Sequence, residues 1–382
     1  MKVCLISAYP PSKGNLAEYA CFLTRELVKE PSISSLTILA NGENFEVKKK
    51  GKIKIIRCWR NDSLLIPMKI LVNVYKEKPD VVHFNIHMRS WGRKKLVNFF
   101  AHLTPFLVKV FLRKKVIITL HNILESANLK EIGINNSILT IFGARLSTRF
   151  LLFSDRVIVL LKRYKRILLK KYGKRNIVYI PHGTLGKKTN KINFNRNKIL
   201  TFGFWSPYKN LPLLVEVFTE LRKKYKNLEL IIAGGSHPNY PGYLDFLKEK
   251  YKFERGIKFL GYVPNNKLPK LFLSSSIIVL PYLTSTGTSG VVHLAVSYGK
   301  PVIISRLQDI EATAREEGYK LVFVKKNNKR ELKNAIEKLL KNKKLYLKIA
   351  KINLEASERH SFSKVAKMYV NLYKQLTLFK SG

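Results

Sequence analysis

PYLTSTGTSGVVHLAVSYGKPVIIS, residues Pro281–Ser305, follows the apolar run Ile277–Leu280, which has the length and β-branching of a buried strand. A loop of Thr, Ser and Gly opens directly into an apolar helix, Val291–Ser297. Gly299-Lys300-Pro301 stops that helix, and a second buried strand, Val302–Ser305, comes next. Two apolar strands joined by a helix belong to a parallel sheet covered on both faces. The loop is also a ready anion site, because the free N–H groups and dipole at a helix N-terminus both favour a phosphate. The stretch holds no carboxylate, so it offers a ligand only hydroxyls and backbone N–H groups.

The same alternation runs through the whole chain. Strands are expected at Lys2–Ser7, Leu36–Ala40, Ile53–Arg57, Asp80–Phe84, Val116–Leu120, Arg156–Leu160 and Ile177–Ile180. A polar, basic stretch, Gly186–Asn197, reads as a linker. The series restarts with Lys198–Phe202, Leu228–Ala233, Ile257–Leu260, the two strands of the opening block and Leu321–Val324. Helical patterns such as Leu16–Lys29, Leu211–Lys224 and Arg330–Leu340 lie between, and Leu345–Phe379 reads as two helices. The expected architecture is α/β, with two doubly wound Rossmann-like domains facing a cleft. Ligands of such sheets bind outside the carboxyl ends of the strands.

The chain has 382 residues, 46% of them hydrophobic, which is ample for two cores and excludes a disordered protein. Lys and Arg number 71 against 25 Asp and Glu, a formal charge of +46. That field attracts anionic substrates, anionic lipid or polyanions. Much of it lies in short helical clusters such as Lys162–Arg166 and Arg222–Lys226, which fit a solvated basic face. Cys4, Cys21 and Cys58 have no paired or zinc-like spacing, so free thiols and a reducing compartment are expected. The run Val3–Ile6 is too short for a signal peptide and meets Pro10-Pro11, which favours a cytoplasmic protein. No run reaches the length of a membrane span. The nearest, Leu96–Leu112, is interrupted by Asn98, His102, Pro105 and Lys109 and reads as an amphipathic helix.

Most clusters of glycine and polar residues fall where strands end. Ser7–Asn15, with Gly14 and Asn15, is a loop able to approach a phosphate or sugar, and it serves equally as a plain turn. His121 closes Val116–Leu120, where an imidazole can hydrogen-bond a sugar or phosphate. His83 and His87 close another strand and are acceptor-binding candidates. Phe202–Asn210 follows the first strand of the second half. Lys209, near the start of the next helix, has the placing of a diphosphate clamp. Gly234 and Gly235 let a ligand approach backbone. Gly261–Pro264 offers backbone and Tyr262 to a nucleobase.

Together these clusters resemble the GT-B glycosyltransferases of family 4 (group 1), over essentially the whole chain. The motifs are the loop at Gly14, TLHN ending in His121-Asn122, IPHG at Ile180–Gly183 and GFWSPYKN at Gly203–Asn210. IIAGG at Ile231–Gly235, LGYVP at Leu260–Pro264 and the TSGV…YGKPVI block complete the order. The resemblance implies a retaining hexosyltransferase that uses a nucleotide-diphosphate sugar as co-substrate, with no cofactor and no metal. It implies an acceptor-binding domain, 1–188, a donor-binding domain, 189–360, and a final helix, 361–382, crossing back to the first. The implied donor set is Gly14, Asn15, Gly203, Ser206, Asn210, Gly234, Gly235, Tyr262, Val263, Thr286, Thr288, Ser289, Gly290 and Val291, with His121 and Lys209 catalytic.

Three departures from the family pattern stand out. Phe204 stands where Arg is frequent, and Ser206 where a basic residue is frequent in the subgroup with a PYK sequence. The usual paired glutamates fall on Thr286 and Leu294, so this is a variant lacking both. The expected donor is a UDP- or GDP-hexose, and the expected acceptor a glycan or lipid-phosphate-linked glycan, as in protein glycosylation or polysaccharide biosynthesis. Aromatic and basic residues mix in Trp91–Lys115, which together with Ile138–Phe153 suits peripheral contact with an anionic membrane, at the inner face of the cell membrane. Two alternatives stand beside this reading. The missing glutamates suit a non-catalytic sugar-nucleotide binder. The charge suits a nucleic-acid-binding protein, although no nucleic-acid module is recognisable and no nucleic-acid partner is expected.

Overall fold

The computed structural model describes residues 1–126, 138–190, 192, 194, 197–237 and 239–378. Part of the expected linker, residues 191, 193, 195 and 196, lies outside them. The elements run β1 (Lys2–Ile6), α1 (Asn15–Leu27), β2 (Ser35–Asn41), β3 (Glu46–Lys50), β4 (Ile53–Trp59), α2 (Ile66–Glu77), β5 (Val81–Ile86), α3 (Lys95–Phe111), β6 (Lys115–Leu120), α4 (Ile138–Leu151), β7 (Arg156–Val159), α5 (Lys162–Tyr172) and β8 (Ile177–Tyr179). They continue with β9 (Lys198–Phe202), α6 (Leu211–Lys224), β10 (Glu229–Ala233), α7 (Tyr243–Lys250), β11 (Ile257–Gly261), α8 (Leu268–Ser274), β12 (Ile277–Leu280), α9 (Gly290–Ser297), β13 (Val302–Ser305), α10 (Gln308–Glu317), β14 (Val322–Val324), α11 (Lys329–Lys341), α12 (Lys343–Arg359) and α13 (Phe362–Leu378).

These elements form two compact units. The first is Met1–His182 with Phe362–Gly382, and the second is Gly183–Ser361. The first sheet has the order β3-β4-β2-β1-β5-β6-β7-β8, and the second β11-β10-β9-β12-β13-β14. Every pairing is parallel except β3 with β4. Strand β3, the antiparallel member of the β3–β4 hairpin, is not among the expected strands. Its sequence, EVKKK, carries no apolar alternation that would announce it and lies almost wholly in solvent. Charged, exposed residues of this kind suit an edge strand, where they discourage pairing with other chains.

Continuous apolar strands are explained by burial on both faces. In the second unit, Ile199, Ile277, Val279 and Ile303 enter one hydrophobic cluster, shared with α6 and α11. Their neighbours Leu200, Ile278, Leu280, Val302 and Ile304 enter the other, shared with α9 and α10. Adjacent side chains of a strand point to opposite faces, so a two-faced sheet needs an unbroken apolar run.

In the first unit, α13 docks through buried polar groups as well as apolar ones. Tyr369 Oη lies 3.0 Å from Tyr19 Oη on α1 and 2.9 Å from Thr119 Oγ1 on β6. His83 bridges Thr119 Oγ1 through Nε2 (2.8 Å) and Tyr373 Oη through Nδ1 (2.7 Å). His83 is therefore a core residue with both ring nitrogens engaged, which corrects its place among the acceptor-binding candidates. It is the third residue of β5 rather than its end, and α13 covers it there. The three cysteines are free and buried.

A second buried imidazole has no such partners. His102 on α3 is 2% exposed, and neither ring nitrogen is hydrogen-bonded. Burial, reinforced by nearby His87, pushes its pKa from 6.5 down to about 3. The unfolded chain takes up a proton below 6.5 while the folded ring stays neutral, so stability is lost as pH falls through that window. His102→Leu removes both stranded nitrogens. In urea titrations, the variant should be at least as stable as wild type at neutral pH, with a shallower loss between pH 6.5 and 3.

Candidate functional site

In the second unit, three adjacent strands end in glycine: Gly203 after β9, Gly234 after β10 and Gly261 closing β11. Their backbones continue the ladder beyond the strands. Gly203 N–H donates to Ala233 O (3.1 Å), Gly234 N–H to Gly261 O (2.7 Å) and Trp205 N–H to Gly235 O (2.8 Å). A Cβ on Gly234 would sit 1.8 Å from the Gly203 carbonyl oxygen, and φ there is +113°, so only glycine fits. At Gly203, with φ +145°, a Cβ would meet Tyr282 Oη and Val291 Cγ2, both at 3.8 Å. One point thus brings together the ends of β9 and β12 and the first turn of α9.

Lys209 joins this point. Residues Pro207–Lys209 form a single 3-10 turn ahead of α6. The Leu283 N–H donates to Tyr208 O (2.9 Å), which ties the turn to the segment leaving β12. Lys209 Nζ lies 3.5 Å from the centroid of the Tyr282 ring. Burial lowers its pKa from 10.5 to about 7. The π face of Tyr282 attracts the ammonium form, and Lys209 makes no ion pair with a carboxylate among the described residues. Ser206, just ahead of the turn, is fully buried, and its Oγ has no hydrogen-bond partner. Asn210 adopts the left-handed conformation that leads into α6, and its amide reaches Asn327 Oδ1 at 3.3 Å.

The start of α9 is held rigidly. Ser289, at φ +59°, precedes the helix. Its carbonyl accepts from Val292 N–H (3.0 Å), more weakly from His293 N–H (3.4 Å) and from His293 Nδ1 (2.9 Å). His293 Nε2 faces buried Glu317 Oε2 at 3.0 Å, and Tyr319 Oη donates to the same oxygen at 2.7 Å. Both ring nitrogens of His293 face oxygen atoms, which fixes the orientation of the ring. Burial alone would raise the Glu317 pKa, but the pairing with His293 and the Tyr319 hydroxyl bring it below the usual value. These contacts fix the Ser289–Gly290 peptide and aim the open N–H groups of Gly290 and Val291, which have no intrahelical acceptor. Asp309, at the start of α10, accepts from Gly287 N–H (3.1 Å). Thr286, Thr288 and Ser289 therefore lie in a loop braced from α9 and α10. Tyr262 is 40% exposed after β11, while Val263 packs against the core around α9.

In the first unit, His121 follows β6. Its Nε2 donates to Asn85 Oδ1 (2.8 Å), because the amide nitrogen of Asn85 is committed to Ser7 Oγ (3.0 Å). Nδ1 is left with its lone pair. Burial, then the neighbouring His182, His87 and His83, hold the ring neutral by lowering its pKa well below 6.5. Tyr19 packs edge-on to it at 4.5 Å and to His182 at 4.9 Å. Gly14, at φ +141°, and exposed Asn15 start α1. The preceding loop is clamped by buried Arg57, which donates to the carbonyls of Tyr9, Pro10 and Asn41. His87 is in a turn, with Nδ1 accepting from Arg89 N–H (3.0 Å).

Several site residues were not foreseen. Tyr282 and His293 lie within the Pro281–Ser305 stretch but carry no motif signal, and Asp309 and Glu317 lie beyond it. His293 and Glu317 are 24 residues apart, a spacing that carries no signal. Glu18, in the first turn of α1, is half-buried, and burial pushes its carboxyl up to about 7. Among the described residues, no group of three or more His, Cys, Asp or Glu is arranged to hold a metal ion.

Residues 186–355, within the second unit, match the family model described as glycosyl transferases group 1. An uncharacterized glycosyltransferase of Haemophilus influenzae is 26% identical over 214 residues, covering 55% of this chain and 59% of that protein. The D-inositol 3-phosphate glycosyltransferase of Corynebacterium urealyticum is 25% identical over 170 residues, covering 43% and 39%. The chain thus spans about half the length of the curated relatives it matches. Among solved structures, sucrose-phosphate synthase from Thermosynechococcus elongatus superposes with TM-score 0.77 at 16% identity, covering 99% of both chains. Anabaena HepE in complex with UDP-glucose gives 0.72 at 16% identity, over 98% of this chain and 100% of the other. The chain therefore has the GT-B fold, and its second unit holds the stretch that matches glycosyl transferases group 1.

Proposed function

We propose that this protein is a retaining hexosyltransferase that moves a sugar from a UDP- or GDP-hexose to a glycan or lipid-phosphate-linked glycan. The observation that carries the reading is the meeting of Lys209, the Gly203 and Gly234 backbones and the open N–H groups of α9 at one set of strand ends. All of them lie inside the stretch matching group 1. The UDP-glucose complex of HepE, a structural neighbour, favours UDP as the nucleotide.

In this scheme the bond between the anomeric carbon and the diphosphate oxygen breaks, and the bond to the acceptor oxygen forms on the same face. Lys209 and the α9 N-terminus stabilise the charge that develops on the departing diphosphate, the task for which other sites recruit a metal ion. The acceptor hydroxyl gives its proton to the leaving phosphate. In the first unit, neutral His121 offers its Nδ1 lone pair as an acceptor for a sugar hydroxyl. The hydroxyls of Thr286, Thr288 and Ser289 take over sugar contacts that glutamates would make. No paired carboxylates are required, in contrast to glycosidases.

The acceptor reading draws on the first unit. Leu64, Leu65, Met68, Val72 and Tyr75 near and on α2, Leu96, Phe100, Val110 and Phe111 on α3, and Phe142 and Phe153 on or after α4 are all exposed. Lysines and arginines surround them in sequence. Among the described residues, no helix is long and apolar enough to cross a membrane. We infer peripheral contact with anionic lipid.

Three outcomes are expected. UDP or GDP should raise the melting temperature of the wild-type chain, and Lys209→Ala should lower turnover about a hundredfold or more. A near-normal rate for that variant would sink the assignment. Lys209, with its pKa near 7, is mostly neutral at pH 8, and a bound phosphate favours its charged form. Calorimetry at pH 8 in buffers of different ionisation enthalpy should therefore show proton uptake on UDP binding. The uptake should fade below pH 7 and vanish in Lys209→Ala. In flotation assays the protein should rise with vesicles rich in anionic lipid and stay behind with neutral ones.

A further inference from the structure

Tyr282 is among the largest fully buried side chains, at 1% exposure, yet its hydroxyl has no hydrogen-bond partner. A buried phenol normally finds one, because a stranded hydroxyl is costly. Its packing duties need no oxygen. A phenylalanine would fill the same volume and offer the same π face to Lys209.

The surroundings say what the oxygen faces. It lies 3.8 Å from the point where a Gly203 Cβ would stand, and Val291 Cγ2 borders the same point at 3.8 Å. Gly203 itself places no side chain there. Lys209 Nζ sits 3.5 Å above the same ring. The N–H groups of Gly290 and Val291 open from the adjacent helix start. Ser206 Oγ, three residues before Lys209, is a second buried hydroxyl without a partner. Burial, with Tyr208 nearby, raises the Tyr282 pKa, so its hydroxyl keeps its proton and is available as a donor. An ammonium on the ring face, a phenol O–H on its edge and the backbone N–H groups that begin α9 form a donor set at neighbouring strand ends, and an anion is the complement of such a set.

We propose that Tyr282 is a ligand-binding residue, whose hydroxyl donates a hydrogen bond to a phosphate oxygen of the nucleotide diphosphate beside the Lys209 ammonium stacked on its ring. The assignment rests on the donor reading above. It places one aromatic residue in two roles: the ring face seats the cation, and the ring edge reads the anion.

Tyr282→Phe in the full chain separates these roles, because the ring and its contact with Lys209 remain. The melting temperature of the unliganded variant should equal or exceed that of wild type, since no hydrogen bond is lost. Its dissociation constant for UDP, or for GDP if that is the nucleotide the wild type takes, should rise about tenfold or more. Unchanged nucleotide affinity, with or without a lower melting temperature, would make the hydroxyl structural and overturn the proposal while leaving the donor reading intact. Unchanged affinity for the free nucleotide but weaker binding of its hexose conjugate would also overturn it, by assigning the hydroxyl to the sugar. A wild-type chain that binds neither UDP nor GDP would overturn the donor reading and this proposal together.

Discussion

Backbone must touch backbone where β9 and β10 end. The Gly203 carbonyl occupies the space that any side chain on residue 234 would need, at 1.8 Å from an ideal Cβ. This close crossing lets three strand ends run on as a hydrogen-bonded ladder beyond the sheet. The ladder in turn sets where residues 204–210 pass, and so where Lys209 is delivered. An open floor, a cation above it and a helix start beside it all follow from two residues that contribute no side chain. The usual logic of a binding site, in which side chains make the contacts, applies here only to the walls.

The walls are built from groups that burial has pushed away from their ordinary charge. Lys209 is held near neutrality by desolvation, and a tyrosine ring is its main companion. A cation that is poorly solvated and unpaired gains more from an arriving anion than one on the surface, where water has already satisfied it. The large positive charge of the chain is a separate matter. It raises the local concentration of anions but does not say where they bind. Specific placement comes from the rigid start of α9. His293 and Glu317 are buried there as a hydrogen-bonded pair that orients the peptide group after Ser289.

Much of this was legible in the amino-acid order. β9 and β12 coincide with the expected strands Lys198–Phe202 and Ile277–Leu280, because strands buried on both faces are dominated by contiguous apolar residues. The glycine at each strand end stood out for the same reason. Strand β3 escaped because an exposed edge strand has no hydrophobic face to reveal it. His83 misled because its strand runs on to Ile86, which puts the ring inside β5 rather than at its end, and α13, which covers it, lies far along the chain. Tyr282, His293 and Glu317 were hidden by their composition. Aromatic and apolar-flanked residues in a buried stretch look like packing until their polar atoms are accounted for one by one.

Membership of α13 in the first unit has a consequence for the order in which the protein can be made. The chain leaves that unit after His182, builds the whole of the second unit, and only then supplies Phe362 onward. Tyr19, Thr119 and His83 are synthesised early, but Tyr369 and Tyr373 reach them last. Domains generally fold as units in the order of synthesis. Here the order is inverted: the second unit has its full chain first, while the first waits with a polar seam exposed. A chain interrupted within Gly183–Ser361 would therefore leave the earlier half unfinished, however complete its own sheet.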